Sequence, residues 1–201
     1  MLIIGLTGSI GMGKSTTAAL FRAFGVPVHD SDRAVHDLYR GDANDEIAFA
    51  FPAAMNNGGV DRQLLATQVL ANPQALRRLE AIIHPRVSAH RLAFVRACKQ
   101  AGARLVICDI PLLFETGADR DCDLVVVVSA STPVQKARVL ARPGMTPERF
   151  DAIVAKQMAD AEKRRRAHIV IDTGRGIVAA QRQVAEFLRA TSAVRGHAFK
   201  G

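Results

Sequence analysis

Tryptophan is absent from this 201-residue chain, tyrosine occurs once, at Tyr39, and there are only three cysteines. The chain therefore lacks the interleaved aromatic platforms on which single-stranded nucleic acid stacks. Cys98, Cys108 and Cys122 are odd in number and have no CxxC spacing. That argues against a disulfide framework or a zinc site and fits a reducing compartment. No apolar run approaches the roughly eighteen residues of a membrane span. The chain opens directly on Leu2-Ile3-Ile4-Gly5-Leu6, without a basic leader, an apolar h-region or a cleavage site. The expectation is a cytoplasmic protein with no export signal and no membrane partner. Internal repeats and low-complexity tracts are also missing.

About half of the residues are hydrophobic, enough for a sizeable core, and the length suits one domain with a modest insertion. The formal charge is +8, and it is unevenly placed. Residues 1–130 hold 13 basic and 13 acidic groups, whereas residues 131–201 hold 14 basic and 6 acidic ones. A gathered positive surplus implies a polyanionic partner, and nucleotides and nucleic acids both qualify.

Short β-rich runs at 2–7, 26–29, 104–108, 124–129 and 169–171 alternate with helical patterns, notably at 14–24, 133–142, 147–158 and 177–190. Nearly continuous apolar strands separated by helices predict an α/β fold with a five-stranded parallel sheet. About 75 residues separate the second run from the third, too many for a single crossover. Helical patterns at 44–51, 61–70, 73–83 and 85–100 fill that gap. Residues 36–100 thus read as a helical insertion, with the loop at 52–59 carrying Asn56-Asn57-Gly58-Gly59.

The sharpest motif is Gly8-Ser9-Ile10-Gly11-Met12-Gly13-Lys14-Ser15, which satisfies GxxxxGK[ST]. Its glycines let successive backbone N–H groups point at phosphate oxygens, and the following helix presents its positive end to the same anion. Lys14 can reach β- and γ-phosphates, and the Ser15 hydroxyl is placed for Mg²⁺. The motif alone admits a kinase, a GTPase or a motor. A guanine-reading Asn-Lys-x-Asp is missing among the four asparagines (44, 56, 57 and 72), and motors need more chain. A small phosphotransferase fits best. Another nucleoside or nucleotide kinase, or a nucleotide-switch or nucleic-acid-binding regulator, remains open.

Acidic groups at predicted strand ends supply the next candidates. In Asp30-Ser31-Asp32, one carboxylate can cap a helix while the other faces the crevice at the sheet's C-terminal edge. Asp32 is the candidate general base for an attacking hydroxyl, with Asp30 in support. Asp109, ending the third strand, is the candidate for holding Mg²⁺, directly or through water. The segment Leu112-Leu113-Phe114 after it reads equally as a wall for a bulky substrate or as core. Arg138 and Arg142, four apart on one predicted helix, are candidates for binding phosphate oxygens. Lys163-Arg164-Arg165-Arg166 reads as a solvated face.

These residues together resemble the dephospho-CoA kinase family. The resemblance runs from Ile4-Gly5-Leu6-Thr7-Gly8 and Gly13-Lys14-Ser15-Thr16 through Gly25-Val26-Pro27-Val28, Asp30-x-Asp32, Asp61-Arg62 and His84-Pro85. It continues through Asp109-x-Pro111-Leu112-Leu113-Phe114-Glu115, Gln135, Arg138, Arg142, Gln157 and Ile171-Asp172. It implies a P-loop kinase core at 1–35, 101–135 and 167–201, with 36–100 as the CoA-binding insertion and a helical lid at about 136–166. It further implies MgATP-dependent phosphorylation of the ribose 3′-hydroxyl of dephospho-CoA. Asp32, Lys14 and Arg142 would be catalytic. Gly8, Gly11, Met12, Gly13, Lys14, Ser15, Thr16, Arg138 and Arg142 would bind ATP, and Ser15 and Asp109 the metal. His84 and Arg86, at the start of an inserted helix, would bind the acceptor, with Leu113, Phe114 and Glu115 bordering it. The expected partners are these small substrates and no nucleic acid, with the chain a monomer. Ser9, Ser31 and Val35-His36 depart from the family's usual residues, as do His168 and Thr173, which the resemblance places near the adenine edge.

Overall fold

The computed structural model describes residues 1–41, 43–70, 72–194 and 196. Residues 195 and 197–201, assigned by sequence to the last core segment, lie outside them, as do residues 42 and 71 of the insertion. Among the described residues the order is β1 (Leu2–Thr7), α1 (Lys14–Ala23), β2 (Val28–Asp30), α2 (Ser31–Arg40), α3 (Asn44–Ala50), β3 (Met55–Asn56) and β4 (Gly59–Val60). There follow α4 (Arg62–Leu70), α5 (Pro73–Gln100), β5 (Leu105–Asp109), β6 (Leu124–Ser129), α6 (Thr132–Leu140), α7 (Pro147–Ala155), α8 (Asp160–Arg166), β7 (Ile169–Asp172) and α9 (Ile177–Ala190). The chain divides into two compact units, one of Met1–His29 with residues from Val95 onward, the other of Asp30–Phe94.

The first unit is built on a five-stranded parallel sheet in the order β2-β5-β1-β6-β7. β1 is buried along its whole length, as an apolar run covered on both faces must be. The register pairs Leu6 with Asp109 and Thr7 with Val127. The C-terminal ends of the three central strands therefore finish side by side, and the glycine-rich turn leaves from the middle one. Helices α1 and α9 pack together on the sheet, with Phe21 edge-on to Phe187 at 5.9 Å between ring centroids. β2 begins later than the apolar run suggests. The Val26 N–H closes onto the Phe21 carbonyl, and Pro27, having no N–H, offers only its carbonyl, to Ile107.

The second unit packs its helices around Leu38, Ile47, Phe51, Leu65, Leu79 and Ile83. Its start at Asp30 brings in α2, whose Leu38, Val35 and Tyr39 join this core. Burial pushes the Tyr39 phenol above its ordinary value, with Arg62 opposing in part. Two sequence expectations change here. The 52–59 loop contains a hairpin, β3 against β4, turned by Asn57 and Gly58, both with positive φ. Asn-Gly is the strongest short hairpin signal, but two-residue strands leave no alternation to read. The helices expected at 73–83 and 85–100 are a single helix, α5, with Pro85 inside it. Pro85 cannot donate to the carbonyl four residues back, and the next residue, Arg86, gives a guanidinium N–H to Ile82 O at 2.8 Å.

A proline inside a helix costs free energy that alanine recovers. Pro85→Ala should raise the urea midpoint of unfolding, corresponding to about 1–3 kcal/mol; a lower midpoint would show that the proline is required by the fold.

Candidate active site

The turn between β1 and α1 is shaped by Gly11 and Gly13, at φ 78° and 87°. L-residues with a Cβ are strained there, and a Cβ on Gly11 would lie 2.5 Å from a Val139 methyl. Ser9 keeps φ outside the left-handed region, so its substitution for glycine costs the backbone nothing. Gly13 caps α1 without a side-chain hydrogen bond. Among the described residues no acceptor is bonded to the amides of Gly11, Gly13, Lys14, Ser15 and Thr16. Unbonded amides at and before a helix N-terminus are the kind of group that receives an anion.

The carbonyls of the same turn are bonded elsewhere. Ile10 O accepts from Gln135 Nε2 at 2.8 Å, Gly11 O from Arg138 Nη1 at 3.4 Å, and Met12 O from Thr173 Oγ1 at 2.8 Å. Arg138 also donates to Thr173 Oγ1 at 2.9 Å and Thr173 O at 2.7 Å. Gln157 Oε1 accepts the Ile10 N–H at 3.0 Å. Arg138 and Thr173, read by sequence as a phosphate ligand and as a residue by the adenine edge, thus brace the cradle. The other departure, His168, precedes β7 at the N-terminal end of the strand, where its N–H donates to Val125 O and its Nδ1 accepts from Val125 N–H, both at 3.0 Å. That is the end of the sheet opposite the cradle, so the structure corrects the expectation that His168 lies near adenine.

Lys14 Nζ lies 2.5 Å from Asp109 Oδ1, both largely buried. The cradle lysine and the strand-end carboxylate are therefore in contact, and Ser15 is exposed in the first turn of α1. No group of three or more His, Cys, Asp or Glu able to hold a metal occurs among the described residues. Helix α6 ends at Leu140, before Pro143-Gly144, so Arg138 and Arg142 do not share a helix face. Arg142 is exposed in the turn beyond, and has no ion-pair partner among the described residues.

After Asp109 the chain folds back under the sheet. Leu113 is fully buried against Gly5, where a Cβ would meet it at 2.9 Å, so its side chain belongs to the core rather than to a substrate wall. Phe114 is buried beneath the guanidinium of Arg166, 4.4 Å from its ring centroid. Glu115 accepts from Met158 N–H at 2.9 Å and lies 2.8 Å from Lys163 Nζ. Lys163 is 0% exposed, and Arg166 pairs with Asp119 at 3.1 Å. The basic run expected to be a solvated face is thus partly structural. A single inward position in a two-turn helix leaves too little periodicity to detect.

In the other unit, Asp30 Oδ1 accepts from Arg33 N–H and caps α2, leaving Asp32 exposed in its first turn. His84 is exposed and Arg86 half-buried, paired with Glu46. Both lie in the middle of α5, not at a helix start. Asp61 caps α4 through the N–H groups of Leu64 and Gln63, which hold its carboxyl below the usual range.

The model of the family described as dephospho-CoA kinase matches residues 2–178. The chain belongs to the dephospho-CoA kinase family. It is 52% identical over 192 residues to a dephospho-CoA kinase of Rhodopseudomonas palustris strain BisB18, covering 96% of each chain. It is 55% identical over 184 residues to that of Mesorhizobium japonicum, covering 92% of this chain and 93% of the relative. A solved Thermus thermophilus structure superposes with a TM-score of 0.83 at 36% identity, covering 94% of this chain and 96% of the other. The Campylobacter jejuni dephospho-CoA kinase shares the fold, with a TM-score of 0.65 at 20% identity over 94% and 96% of the two chains.

Two outcomes follow from this geometry. Arg138→Met leaves the Gly11 and Thr173 carbonyls without their donor, and should raise the KM for ATP about tenfold while destabilising the fold by about 1–3 kcal/mol. Steady-state kinetics and thermal melts check both; an unchanged KM would remove Arg138 from the brace. Burial alone would raise the Glu115 pKa, but the Lys163 ammonium and the Met158 N–H outweigh it and hold the carboxyl below the ordinary value. The pair's stabilisation is then complete above about pH 4.3 and is lost as pH falls through the depressed folded value. Tm measured against pH should fall less steeply on acidification in Glu115→Gln than in the wild type.

Proposed function

We propose that the protein transfers the terminal phosphate of ATP to the ribose 3′-hydroxyl of dephospho-CoA, giving CoA and ADP, the last step of coenzyme A synthesis. The observation that carries this reading is the match to dephospho-CoA kinases over nearly the whole chain. The cradle supplies the matching chemistry: five amides with no acceptor among the described residues, for phosphate oxygens, and the Lys14 side chain on the same turn.

In this reading Lys14 exchanges its contact with Asp109 for the β- and γ-phosphates. Mg²⁺ neutralises phosphate charge when bound, and the Ser15 hydroxyl and Asp109 carboxylate fit it as oxygen donors. Two protein oxygens suit a cation whose remaining positions go to phosphate and water, as expected where no larger carboxylate cluster exists. Arg142, with no ion-pair partner to give up, offers its charge to the phosphoryl group in transfer. Asp32 takes the proton of the 3′-hydroxyl, and His84 and Arg86 bind the acceptor. The α6 to α8 segment acts as the lid over ATP, excluding water that would compete as acceptor. The protein acts as a cytoplasmic monomer. No helix among the described residues is long and apolar enough to cross a membrane.

A coupled ADP-release assay across acceptors tests the substrate: dephospho-CoA should be turned over far faster than AMP or any nucleoside, and the reverse order would overturn the assignment. Asp32→Asn should keep ATP affinity and lower kcat by about 10²–10⁴-fold. Near-normal turnover would remove Asp32 from the base role.

A further inference from the structure

Lys163 is the one charged residue with 0% exposure among the described residues, yet its ammonium is given only one carboxylate, that of Glu115 at 2.8 Å. Such a pair is a poor source of stability. Desolvating two charges offsets most of their attraction, and an apolar pair of similar volume commonly stabilises as much or more. What the pair does accomplish is geometric. The Glu115 oxygen facing Lys163 also accepts the Met158 N–H. The neighbouring residue, Gln157, holds the Ile10 N–H of the cradle. Going the other way, Glu115 stands six residues after Asp109, which contacts Lys14 of the same cradle. Arg166, one turn along α8, holds the intervening loop again, through the Phe114 ring and Asp119.

The contacts therefore close a ring: cradle, Gln157 and Met158, Glu115, the loop back to Asp109, Lys14, and cradle. Lys163 stands where the arm through Met158 meets the arm through Glu115, the second buried charge pair of the ring beside Lys14 and Asp109. We infer that Lys163 is a positioning residue for phosphoryl transfer, acting through Glu115 to set the Asp109 carboxylate against the phosphate cradle. It touches no substrate. Its loss moves the metal-side carboxylate relative to amides that still bind phosphate, which lowers the rate more than the affinity. A misplacement of about 1 Å in such a site costs on the order of 10²-fold in rate.

The inference rests on the proposed dephospho-CoA kinase activity, and the experiment separates the two. Wild type, Lys163→Met, Lys163→Arg and the double variant Lys163→Met with Glu115→Gln are compared by kcat, KM for ATP and Tm. Lys163→Met should lose about 10–100-fold in kcat with KM for ATP within about threefold of wild type. Lys163→Arg, which keeps the charge, should recover most of that loss. The double variant should regain the wild-type Tm and remain at least about tenfold slow, since neutralising both partners relieves the buried charge without restoring the junction between the two arms. A double variant with wild-type kcat, or a Lys163→Met effect confined to KM, would overturn the positioning role. If Lys163→Met does not fold, the double variant decides alone. Should wild type fail to use dephospho-CoA, the proposed activity falls, and Lys163 is judged by the same kcat and KM split in intrinsic ATP hydrolysis.

Discussion

A backbone loop that offers its N–H groups to an anion must dispose of an equal number of carbonyls. Each peptide unit brings one donor and one acceptor, and a carbonyl left facing the phosphate would repel it. The turn after β1 meets this constraint with three side chains from the last third of the chain. Gln135, Arg138 and Thr173 take the carbonyls of Ile10, Gly11 and Met12 in order. Helix α6 and the segment after β7 must therefore stand where they do for the cradle to have its shape. The strand register does the rest, because Asp109 at the end of β5 pairs with Leu6, one residue before the end of β1.

The same constraint takes up one member of the positive surplus of the last 71 residues, Arg138. Arg138 donates to carbonyls, Lys163 and Arg166 are committed to carboxylates and a phenylalanine ring, and Arg142 is exposed with no ion-pair partner among the described residues. A polymer-binding surface would need its cations in water and spread along a groove. Here Arg138 and Lys163 are built into the surroundings of the cradle, while most of the other basic residues described after residue 130 are exposed.

Much of this was legible in the residues themselves. Parallel strands buried on both faces announce themselves as unbroken apolar runs, so β1, β5 and β6 were readable almost to the residue. The cradle was readable because positive φ and close backbone approach demand glycine at fixed spacing. The uninterrupted α5 was not, since a proline signals a boundary unless tertiary packing carries the helix past it. The hairpin at Asn57-Gly58 was missed because its strands are two residues long. At the site, residue type says nothing of backbone partners. Arginine reads as a phosphate ligand by type, and nothing local reveals that the fork of Arg138 also meets carbonyls distant in sequence. Lys163 was hidden among three neighbouring arginines, and its burial depends on Glu115, 48 residues earlier.

Direct titration of the wild type and of Lys14→Ala with MgATP, read as binding and not as turnover, tests most directly whether residues 8–16 form the phosphate site. Affinity should fall by about tenfold or more in Lys14→Ala, the loss of a charge-assisted contact worth about 1.5–3 kcal/mol. Equal affinity in the two proteins would contradict the assignment of the nucleotide phosphates to this turn.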